Sequence, residues 1–384
     1  MEVLMIFPSF DRVKAIAPGY DIVPVYMEIL SDVRTPISVL KALKQVSSHT
    51  YLLESADNSN HWGRYSFLGY DPLLEITCYN GMTTIKSELT SRTDSGDVRG
   101  IIRNVMEENK SPKLPGLPSF TGGLVGYFSY DYIKYSEPTL RLDAKDEEGF
   151  QDVNLMLFHK VIAFDNYRQK LILILNIKTD DLEINYHRAE RELNNMKELL
   201  LNGEKAEHIP CKLRTDFQPL FNEAAYCSMV EKARHYIREG DIFQVVLSNR
   251  LEAEMEGSLL DAYRVLRTTN PSPYMFYFSG SDGEIVGASP ETLVKLEDVT
   301  PVLTKEELLS LRALMGRVFV DRTLLQYIAL IVQQTRTSKA VYLGASPRAS
   351  VAMLQSSKAY ALLQGRDFVT PEDIKFVAPY VLQH

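Results

Sequence analysis

The sequence has no excess of positive charge, because 42 Lys and Arg residues stand against 50 Asp and Glu among 384, for a formal net charge of −8. Since both signs are interspersed, no broad cationic surface is available, and we expect no nucleic-acid partner. Long apolar runs are also missing: those at 171–177 and 242–247 are far shorter than the roughly 20 residues of a membrane-spanning helix. The composition therefore favours a globular protein without a membrane partner.

Cysteine is scarce, and the sequence contains only Cys78, Cys211 and Cys227. These residues form no close pair and no metal-ligand spacing, and no activating base is identifiable beside any of them. The first ten residues have no basic stretch before their apolar run, unlike a secretory signal. We therefore expect structural cysteines, no metal site and a cytoplasmic location.

The pattern of apolar residues changes near residue 298. Before it, β-rich and helical runs alternate without the regular rhythm of a doubly wound sheet, which predicts an α/β (α+β) sheet domain. After it, four amphipathic helical segments follow one another without a convincing strand, which predicts a small all-α bundle. The expected domains are residues 1–215, residues 216–298 and the helical module 299–384.

Local patterns predict individual elements of the sheet domain. The apolar runs 161–165 and 171–177 flank a polar stretch and predict a hairpin whose second strand is buried on both faces. Residues 223–239 predict a helix that ends at Gly240. The predicted apolar face of this helix consists of Tyr226, Val230, Ala233 and Ile237. Further strands are predicted at 242–251, 274–278, 284–288 and 293–296.

Six segments before residue 298 have a specificity that composition does not explain. They are Leu-Leu-Glu-Ser at 52–55, Gly-Arg-Tyr-Ser-Phe-Leu-Gly at 63–69, Gly-Gly-Leu-Val-Gly-Tyr at 122–127, Gly-Asp-Ile-Phe-Gln-Val-Val at 240–246, Asn-Pro-Ser-Pro-Tyr-Met at 270–275 and Ala-Ser-Pro-Glu at 288–291. In this order and spacing they resemble component I, the large subunit of anthranilate synthase, over about residues 20–298. The resemblance implies a chorismate-utilising sheet domain of tryptophan biosynthesis and a glutamine amidotransferase (glutaminase) partner subunit. On physical grounds, the glycines at 122–126 predict a tightly packed turn.

In that family the first and fifth segments come together to bind the feedback inhibitor L-tryptophan. A carboxylate such as that of Glu54 can hold the ligand ammonium group, while proline and methionine can pack against its indole. The resemblance therefore implies a tryptophan site formed by Leu53, Glu54, Ser55, Pro271, Ser272, Pro273, Tyr274 and Met275. Without the resemblance, Glu54 is a solvated carboxylate at a strand end and 271–273 is a loop.

In the enzymes that this region resembles, the residue at the position of Gln244 indicates whether water or ammonia is the nucleophile. Related isochorismate and salicylate synthases carry at this position a lysine that activates water, and glutamine cannot serve as that base. An amide at 244 favours ammonia, which has its own lone pair and needs less activation. The alternative is a hydrogen-bonded side chain on a half-buried strand.

Several segments expected from the resemblance are missing after residue 291. The family continues with Pro-Ile-Ala-Gly-Thr, Leu-Gly-Arg-Asn-Asp, a catalytic histidine and two magnesium-binding glutamates, and none of these follows here. Mg²⁺ is expected for the parent family, where it offsets the charge of dicarboxylate chorismate, but its ligands are absent from this sequence. We therefore expect a catalytically deficient chain.

Residues 299–384 carry a second set of motifs. Gly-Ala-Ser-Pro-Arg at 344–348 precedes Gly-Arg-Asp-Phe-Val-Thr-Pro-Glu-Asp at 365–373, and the chain ends in Val-Leu-Gln-His at 381–384. This segment looks like the helical lid of a MoxR-type AAA+ ATPase, in which Arg348 takes the sensor-2 role at the nucleotide γ-phosphate. No Gly-x-x-x-x-Gly-Lys-Ser/Thr loop occurs in the chain, so ATP is not expected as a cofactor.

The two incomplete resemblances leave four interpretations. The first is a catalytically deficient anthranilate synthase component I-like protein with a feedback tryptophan site. The second is a protein that binds tryptophan in a regulatory role or pairs with a glutaminase. The third is an AAA+ fragment that acts with other AAA+ subunits supplying the core. The fourth is a chimera that arises from the gene model, from cloning or from deliberate fusion near residues 298–299.

Overall fold

A computed structural model describes most of the chain. The described residues are 5–32, 34–55, 63–87, 90–95, 97–137, 139–140, 146, 148–203, 209–290, 305–337 and 344–382, without the side chains of 305–308. Within these ranges, no helix combines the length and the apolar composition needed to cross a membrane. The predicted strand at 293–296 lies outside the described residues.

The described elements are helices and strands in mixed order. The helices are α1 (Phe10–Ile16), α2 (Pro36–Val46), α3 (Val98–Glu107), α4 (Leu182–Asn202), α5 (Glu223–Glu239), α6 (Leu260–Thr269), α7 (Lys305–Arg317), α8 (Arg322–Thr337), α9 (Pro347–Leu363) and α10 (Pro371–Leu382), with a 3-10 helix at Tyr130–Tyr135. The strands are β1 (Ile22–Leu30), β2 (Thr50–Glu54), β3 (Tyr65–Tyr70), β4 (Leu74–Tyr79), β5 (Met82–Ser87), β6 (Ser91–Asp94), β7 (Gly123–Phe128), β8 (Val153–Phe158), β9 (Lys160–Asp165), β10 (Lys170–Lys178), β11 (Lys212–Leu213), β12 (Gln218–Pro219), β13 (Leu251–Glu252), β14 (Met255–Glu256), β15 (Tyr274–Gly280) and β16 (Gly283–Ser289).

The chain folds as two compact units. Unit 1 consists of Met1–Lys212 and Met255–Thr292, and unit 2 consists of Leu213–Glu254 and Leu293–His384. The predicted domain 216–298 is therefore divided between the units, because β15 and β16 extend a sheet of unit 1. The domain boundaries 1–215, 216–298 and 299–384 stay a prediction. The fold class is confirmed, since an α/β region is followed by a helical module.

Unit 1 is built on a seven-stranded antiparallel sheet with the order β1-β10-β9-β3-β2-β15-β16. The predicted hairpin is confirmed, since β9 pairs with β10 and Asp165 lies opposite Lys170. As predicted, β10 is buried along its whole length between its two end residues. The predicted strands at 274–278 and 284–288 are confirmed as β15 and β16. Buried side chains of α2 and α4 cover the sheet, and each fully buried leucine contributes about 1.5–3 kcal/mol.

A second sheet of unit 1 has five antiparallel strands in the order β6-β5-β4-β8-β7. Residues of α3 pack on it, including Val98 and Val105. The two sheets meet at a buried cluster in which the rings of Tyr51 and Phe158 lie edge to face, 4.8 Å apart. The side chains of this cluster tie β2 and β15 of the first sheet to β8 of the second.

The glycines at 122–126 are closely packed, as the sequence predicts, but the predicted turn is wrong for Gly123 and Gly126, which lie in strand β7. Gly122 and Gly123 have φ angles of +149° and +137°. A Cβ atom on Gly126 would lie 1.9 Å from the backbone oxygen of Asn154 in the adjacent strand β8. Glycine is therefore required at 126 by the approach of two backbones, independently of any ligand.

Unit 2 contains the predicted helical module, which is confirmed as α7 to α10. Its core is formed by buried side chains such as Ile328, Val332, Met353 and Ile374. Pro347 and Pro371 occupy the first positions of α9 and α10, where the fixed φ of proline suits the start of a helix. However, the side chain of Ser346 makes no capping hydrogen bond.

The start of α10 contains half of a capping box, formed by Thr370 and Asp373. The backbone N–H of Thr370 donates to Oδ2 of Asp373 over 2.7 Å, and the Thr370 hydroxyl donates to the same oxygen over 3.1 Å. The reciprocal bond is absent among the described contacts, since the N–H of Asp373 donates to the Thr370 backbone carbonyl. Arg366 adds a bidentate ion pair to Asp373, with distances of 2.6 and 2.8 Å. The carboxylate therefore joins the loop before α10 to its first turn.

The prediction of a strand at 242–251 is wrong over most of its length. Only β13, at the end of the segment, pairs with another strand, and that strand is the two-residue β12. Phe243 and Val246 are 93% and 83% exposed. A strand forms only where a neighbour offers its backbone groups, and within the described residues no strand lies beside 241–250. Local β-propensity was therefore insufficient at this place.

Helix α5 is confirmed, and Gly240 ends it with a φ of +78°. Of its predicted apolar face, Tyr226, Val230 and Ala233 are half-buried and Ile237 is 36% exposed, and no residue of α5 is fully buried. This face is not fully covered because the segment that follows the helix does not form a sheet over it.

Candidate functional site

The pairing of β2 with β15 brings two of the sequence motifs into contact. Glu54, the last residue of β2, lies opposite Met275 on β15, and Leu53 lies opposite Phe276. The motifs are more than 200 residues apart in the chain but adjacent in the sheet. The structure thus places the Glu54 segment beside the 271–275 segment, as a shared site requires.

The side chain of Glu54 is largely buried and contacts two residues of α6. Its side chain is 8% exposed, and its Oε2 atom accepts a 2.8 Å hydrogen bond from the hydroxyl of Tyr263. The guanidinium of Arg267 lies against both carboxylate oxygens, with Nη2 2.9 Å from Oε1 and Nε 2.8 Å from Oε2. Burial is the main reason that the pKa of Tyr263 is raised, and the negative charge of Glu54 raises it further. The phenol therefore keeps its proton and donates the hydrogen bond. The alternative of a solvated Glu54 is therefore wrong.

The other residues of the predicted tryptophan site lie near Glu54, on or next to β2 and β15. Pro271 is exposed and Pro273 is half-buried in the turn before β15, and Met275 is 3% exposed. The Ser272 hydroxyl is buried and donates to the backbone carbonyl of Ser289. Leu53 and Tyr274 are half-buried, and Ser55 directly follows β2. The residues thus form a contiguous group at one end of β2 and β15.

Sequence reasoning missed Tyr263 and Arg267 as members of this group. The two residues are four positions apart on α6, so they lie on the same helical face. Their position just before the Asn-Pro-Ser-Pro turn was the available signal, because a helix leading into that turn must pass close to it. A buried carboxylate also requires a cationic partner, which the sequence alone did not identify.

A half-buried carboxylate, that of Glu284, fixes the start of α6. Glu284 accepts hydrogen bonds from the Ser258 hydroxyl, over 2.8 and 2.9 Å, and from the backbone N–H of Leu259 over 2.6 Å. Lys44 and Tyr277 also donate to it. Burial opposes ionisation of Glu284, but the hydrogen bonds from Lys44, Tyr277 and Ser258 outweigh burial and lower its pKa. The helix that carries Tyr263 and Arg267 is therefore held to the sheet by an ionised side chain.

Gln244 and Arg348 both lie in unit 2, in exposed positions. Gln244 is on the segment that forms no strand, so the alternative of a half-buried strand residue is wrong. Arg348 is 67% exposed, and its guanidinium donates to the backbone carbonyl of Asp241 and lies 3.8 Å from the Oδ1 atom of that residue. The catalytic role of Gln244 and the nucleotide role of Arg348 stay predictions.

The donor groups for a metal ion are not assembled in the described part of the chain. There, no group of three or more His, Cys, Asp or Glu side chains is placed to hold a metal ion. The described residues therefore do not fit the Mg²⁺ that the parent family implies, and no chemical step of this chain is assigned to a metal.

Comparison with known proteins identifies two regions of the chain. A family model described as chorismate binding enzyme matches residues 48–305, and a model described as AAA lid domain matches residues 333–384. Anthranilate synthase component 1 of Acetivibrio thermocellus is 36% identical over 303 residues, which are 77% of this chain and 61% of that protein. The protein of the same name from Acinetobacter calcoaceticus is 37% identical over 302 residues, or 76% and 60%.

Solved structures also align with this chain. Anthranilate synthase component I from Streptococcus pneumoniae aligns with 75% of this chain and 67% of its own, with 28% identity and a TM-score of 0.48. The chain spans about three fifths of the length of the two relatives named above.

Proposed function

Because the chain belongs to the family of chorismate-binding enzymes and is similar to anthranilate synthase component 1, we propose that it retains that protein's tryptophan-sensing half without its catalysis. The ancestral reaction is chorismate plus ammonia to anthranilate, pyruvate and water, within tryptophan biosynthesis. In this proposal the chain binds L-tryptophan, the feedback inhibitor, at the Glu54 group and is cytoplasmic.

The observation that carries the proposal is the register of β2 and β15. It sets the carboxylate of Glu54 beside the buried Met275 and the turn that contains Pro271 and Pro273, so that an anionic group and apolar side chains adjoin. An amino acid with an indole side chain requires both features, one for its ammonium group and the other for its ring. Glu54 is also held in place by its contact with the guanidinium of Arg267.

Catalytic deficiency follows from the segments that are missing after residue 291. The Gln244 amide is the nucleophile-side group of the proposed parent site, but it is exposed on a segment without a paired strand. An active site needs reacting groups held by rigid elements, because small misplacements cost large factors in rate. A glutaminase subunit is proposed as a partner through the same family relationship, and it would supply ammonia from glutamine.

The purified full chain is expected to bind tryptophan but not to make anthranilate. With chorismate, ammonium and Mg²⁺ we expect no anthranilate, and the fluorescence of anthranilate would report any that formed.

With L-tryptophan at 100 times its Kd we expect the free energy of unfolding of unit 1 to rise by about 2.7 kcal/mol, because a ligand that binds only the folded state stabilises it. Urea titration with and without tryptophan measures this change.

The matched control for the tryptophan experiment is Glu54→Gln, which keeps the size of the side chain and removes its charge. This variant should lose the stabilisation by tryptophan, and L-phenylalanine should stabilise the unchanged chain much less than L-tryptophan does. Detectable anthranilate would contradict the catalytic deficiency. An unchanged urea midpoint at saturating tryptophan would contradict the tryptophan site.

A second candidate function is favoured by the AAA lid match at 333–384. In it, the helical module is a MoxR-type lid that docks with AAA+ subunits, and the chain is a chimera joined near residues 298–299. The exposed Arg348 guanidinium is available to a nucleotide once it leaves Asp241. We then expect association with a separate MoxR-type core in the presence of ATP, weakened by Arg348→Ala. Equal association of both proteins, or none, in analytical ultracentrifugation would contradict this candidate.

A further inference from the structure

A cavity lies in unit 1, where β8 of the five-stranded sheet approaches β1 and β10 of the seven-stranded sheet. Its inner wall includes the buried residues Leu157 and Asn176. The register of β2, β3 and β9 places His159, which also lines the cavity, beyond Thr50, the first residue of β2. Glu54 is the last residue of the same strand. The cavity is therefore at the end of the sheet that faces away from the Glu54 group.

Two buried polar atoms on the cavity wall make no hydrogen bond with the described residues. They are Oδ1 of Asn176, a residue that is 9% exposed, and Nδ1 of His159. The Asn176 amide is fixed in this orientation, because its Nδ2 donates to the backbone carbonyls of Thr121 and His159 over 2.7 and 3.4 Å. Buried polar atoms in folded proteins are ordinarily hydrogen-bonded, so these two mark a place for the polar group of a ligand.

Both groups at the inner end are uncharged. Burial, and then the positive charge of Lys160, lower the pKa of His159 to about 4, so its imidazole is neutral near pH 7. A neutral imidazole with its proton on Nδ1 donates one hydrogen bond, and the amide oxygen of Asn176 accepts one. A hydroxyl group, which donates and accepts, matches this pair.

A cation lies on the same side of β10 as Asn176. Lys178 follows Asn176 by two positions in the strand, so the two side chains share one face with their Cα atoms about 6.6 Å apart. Lys178 is exposed and also lines the cavity. Its Nζ donates to the backbone carbonyl of Glu108 over 3.3 Å, which uses one of its three donors. The outer end of the cavity therefore has a positive charge with donors to spare.

We propose that this cavity binds a small hydroxy-substituted aromatic acid. The ligand hydroxyl donates to Oδ1 of Asn176 and accepts from Nδ1 of His159, and the ligand carboxylate pairs with the ammonium group of Lys178. A ring with its two substituents at opposite positions spans a distance comparable with the separation of Asn176 and Lys178 along the strand. The apolar side chains of Leu157 and Met106 line the space between the two ends.

The size of the cavity sets how far the ligand enters. The centres of water-sized molecules can occupy about 70 Å³ of it, which is room for about five water molecules at 10–15 Å³ each. A closed cavity that holds a whole benzene ring is larger, about 150 Å³. Only the hydroxyl and the adjoining edge of the ring therefore reach the inner end. The rest of the ring lies at the mouth, where Leu73 and Met106 are 43% and 48% exposed.

The test compares 4-hydroxybenzoate with benzoate, which lacks the hydroxyl, and with phenol, which lacks the carboxylate. Ligand-observed NMR titration of the full chain gives the three affinities. We expect 4-hydroxybenzoate to bind about 2- to 10-fold more tightly than benzoate, the factor for one hydrogen bond between uncharged groups. It should bind about 2- to 5-fold more tightly than phenol, the factor for an exposed ion pair.

Two variants separate the two ends of the site. His159→Phe keeps the ring and removes its nitrogens, which make no hydrogen bond with the described residues, so the fold should tolerate it. It should reduce the preference over benzoate at least twofold and leave the preference over phenol unchanged. Lys178→Gln should do the reverse, lowering the preference over phenol to about 1 and leaving the preference over benzoate unchanged.

Lys170→Gln is the matched control, since Lys170 begins the same strand, is 39% exposed and pairs with Glu28. It should leave all three affinities unchanged, and so should Glu54→Gln, which separates this cavity from the proposed tryptophan site. If His159→Phe does not fold, as judged by circular dichroism, Lys178→Gln decides the question. Absence of saturable 4-hydroxybenzoate binding would overturn the proposal and assign the cavity to water alone. Binding with preferences that neither variant reduces would overturn it as well.

Discussion

Replacing Gly126 with valine is expected to unfold unit 1. The first added atom would lie 1.9 Å from the backbone oxygen of Asn154 and 2.9 Å from Cα of Leu155, so relief requires β7 to move away from β8. Backbone atoms of a paired strand cannot rotate aside as a flexible side chain can. We expect a loss of about 4–5 kcal/mol or more in the free energy of unfolding, comparable with the whole stability of many domains.

Urea unfolding followed by circular dichroism measures this loss, and Gly100→Ala provides the control. Gly100 is within α3, and an added Cβ would meet no atom within 4 Å. Alanine there should stabilise the helix by about 0.5–1 kcal/mol. A Gly126→Val protein with the urea midpoint of the unchanged chain would show that β7 and β8 do not pair in the register described.

Replacing Asp373 with alanine is expected to destabilise the helical module by about 3 kcal/mol. The Asp373 carboxylate is 2% exposed and accepts from Arg366 and from both donors of Thr370. Its loss removes the cap of α10 and leaves Arg366, which is 28% exposed, without its partner. Breaking a buried pair on one side costs about 3–5 kcal/mol, and partial access of Arg366 to water places this case at the lower end.

The cost of Asp373→Ala should also depend on pH. The hydrogen-bonded pair with Arg366, together with the Thr370 donors, outweighs burial and lowers the pKa of Asp373. A carboxyl group whose pKa is lower in the folded than in the unfolded state stabilises the fold above its unfolded pKa of about 3.9. That contribution is lost as the pH falls through the folded pKa. The difference between the variant and the unchanged chain should therefore be full at pH 6 and shrink below pH 4.

Glu372→Ala is the control for Asp373, because Glu372 occupies the same helical turn but is exposed. It should cost only a few tenths of a kcal/mol through the helix dipole. Thermal unfolding of both variants between pH 3 and pH 7 makes the comparison. Equal losses for the two variants, or a loss at Asp373 that does not change with pH, would contradict the role assigned to its carboxylate.

Features that depend on local patterns were predictable from the sequence. The hairpin of β9 and β10, the helix ended by Gly240 and the four helices of the module were predicted because periodicity and end signals lie within a few residues of each other. The strand predicted at 242–251 failed for the opposite reason, since its pairing depends on a neighbour that the described chain does not provide.

The candidate site shows the same limit of local information. Glu54 and the 271–275 turn were predicted together through the family resemblance, and the register of β2 and β15 brings them together. Arg267 was not predicted, because the need of a buried carboxylate for a cation becomes visible only when burial is known. Helical spacing relates Arg267 to Tyr263 but does not reveal which distant residue both of them contact.

The strand order of the seven-stranded sheet has a consequence for protein synthesis. β2 is between β3 and β15, and 213 residues separate Glu54 from Arg267. At translation rates of about 5–20 residues per second, the ribosome needs about 10 to 40 s to make that interval. During this time one edge of β2 has no partner strand, and the charge of Glu54 at its end discourages pairing with other nascent chains. The carboxylate thus protects the growing polypeptide before it acquires its partner on α6.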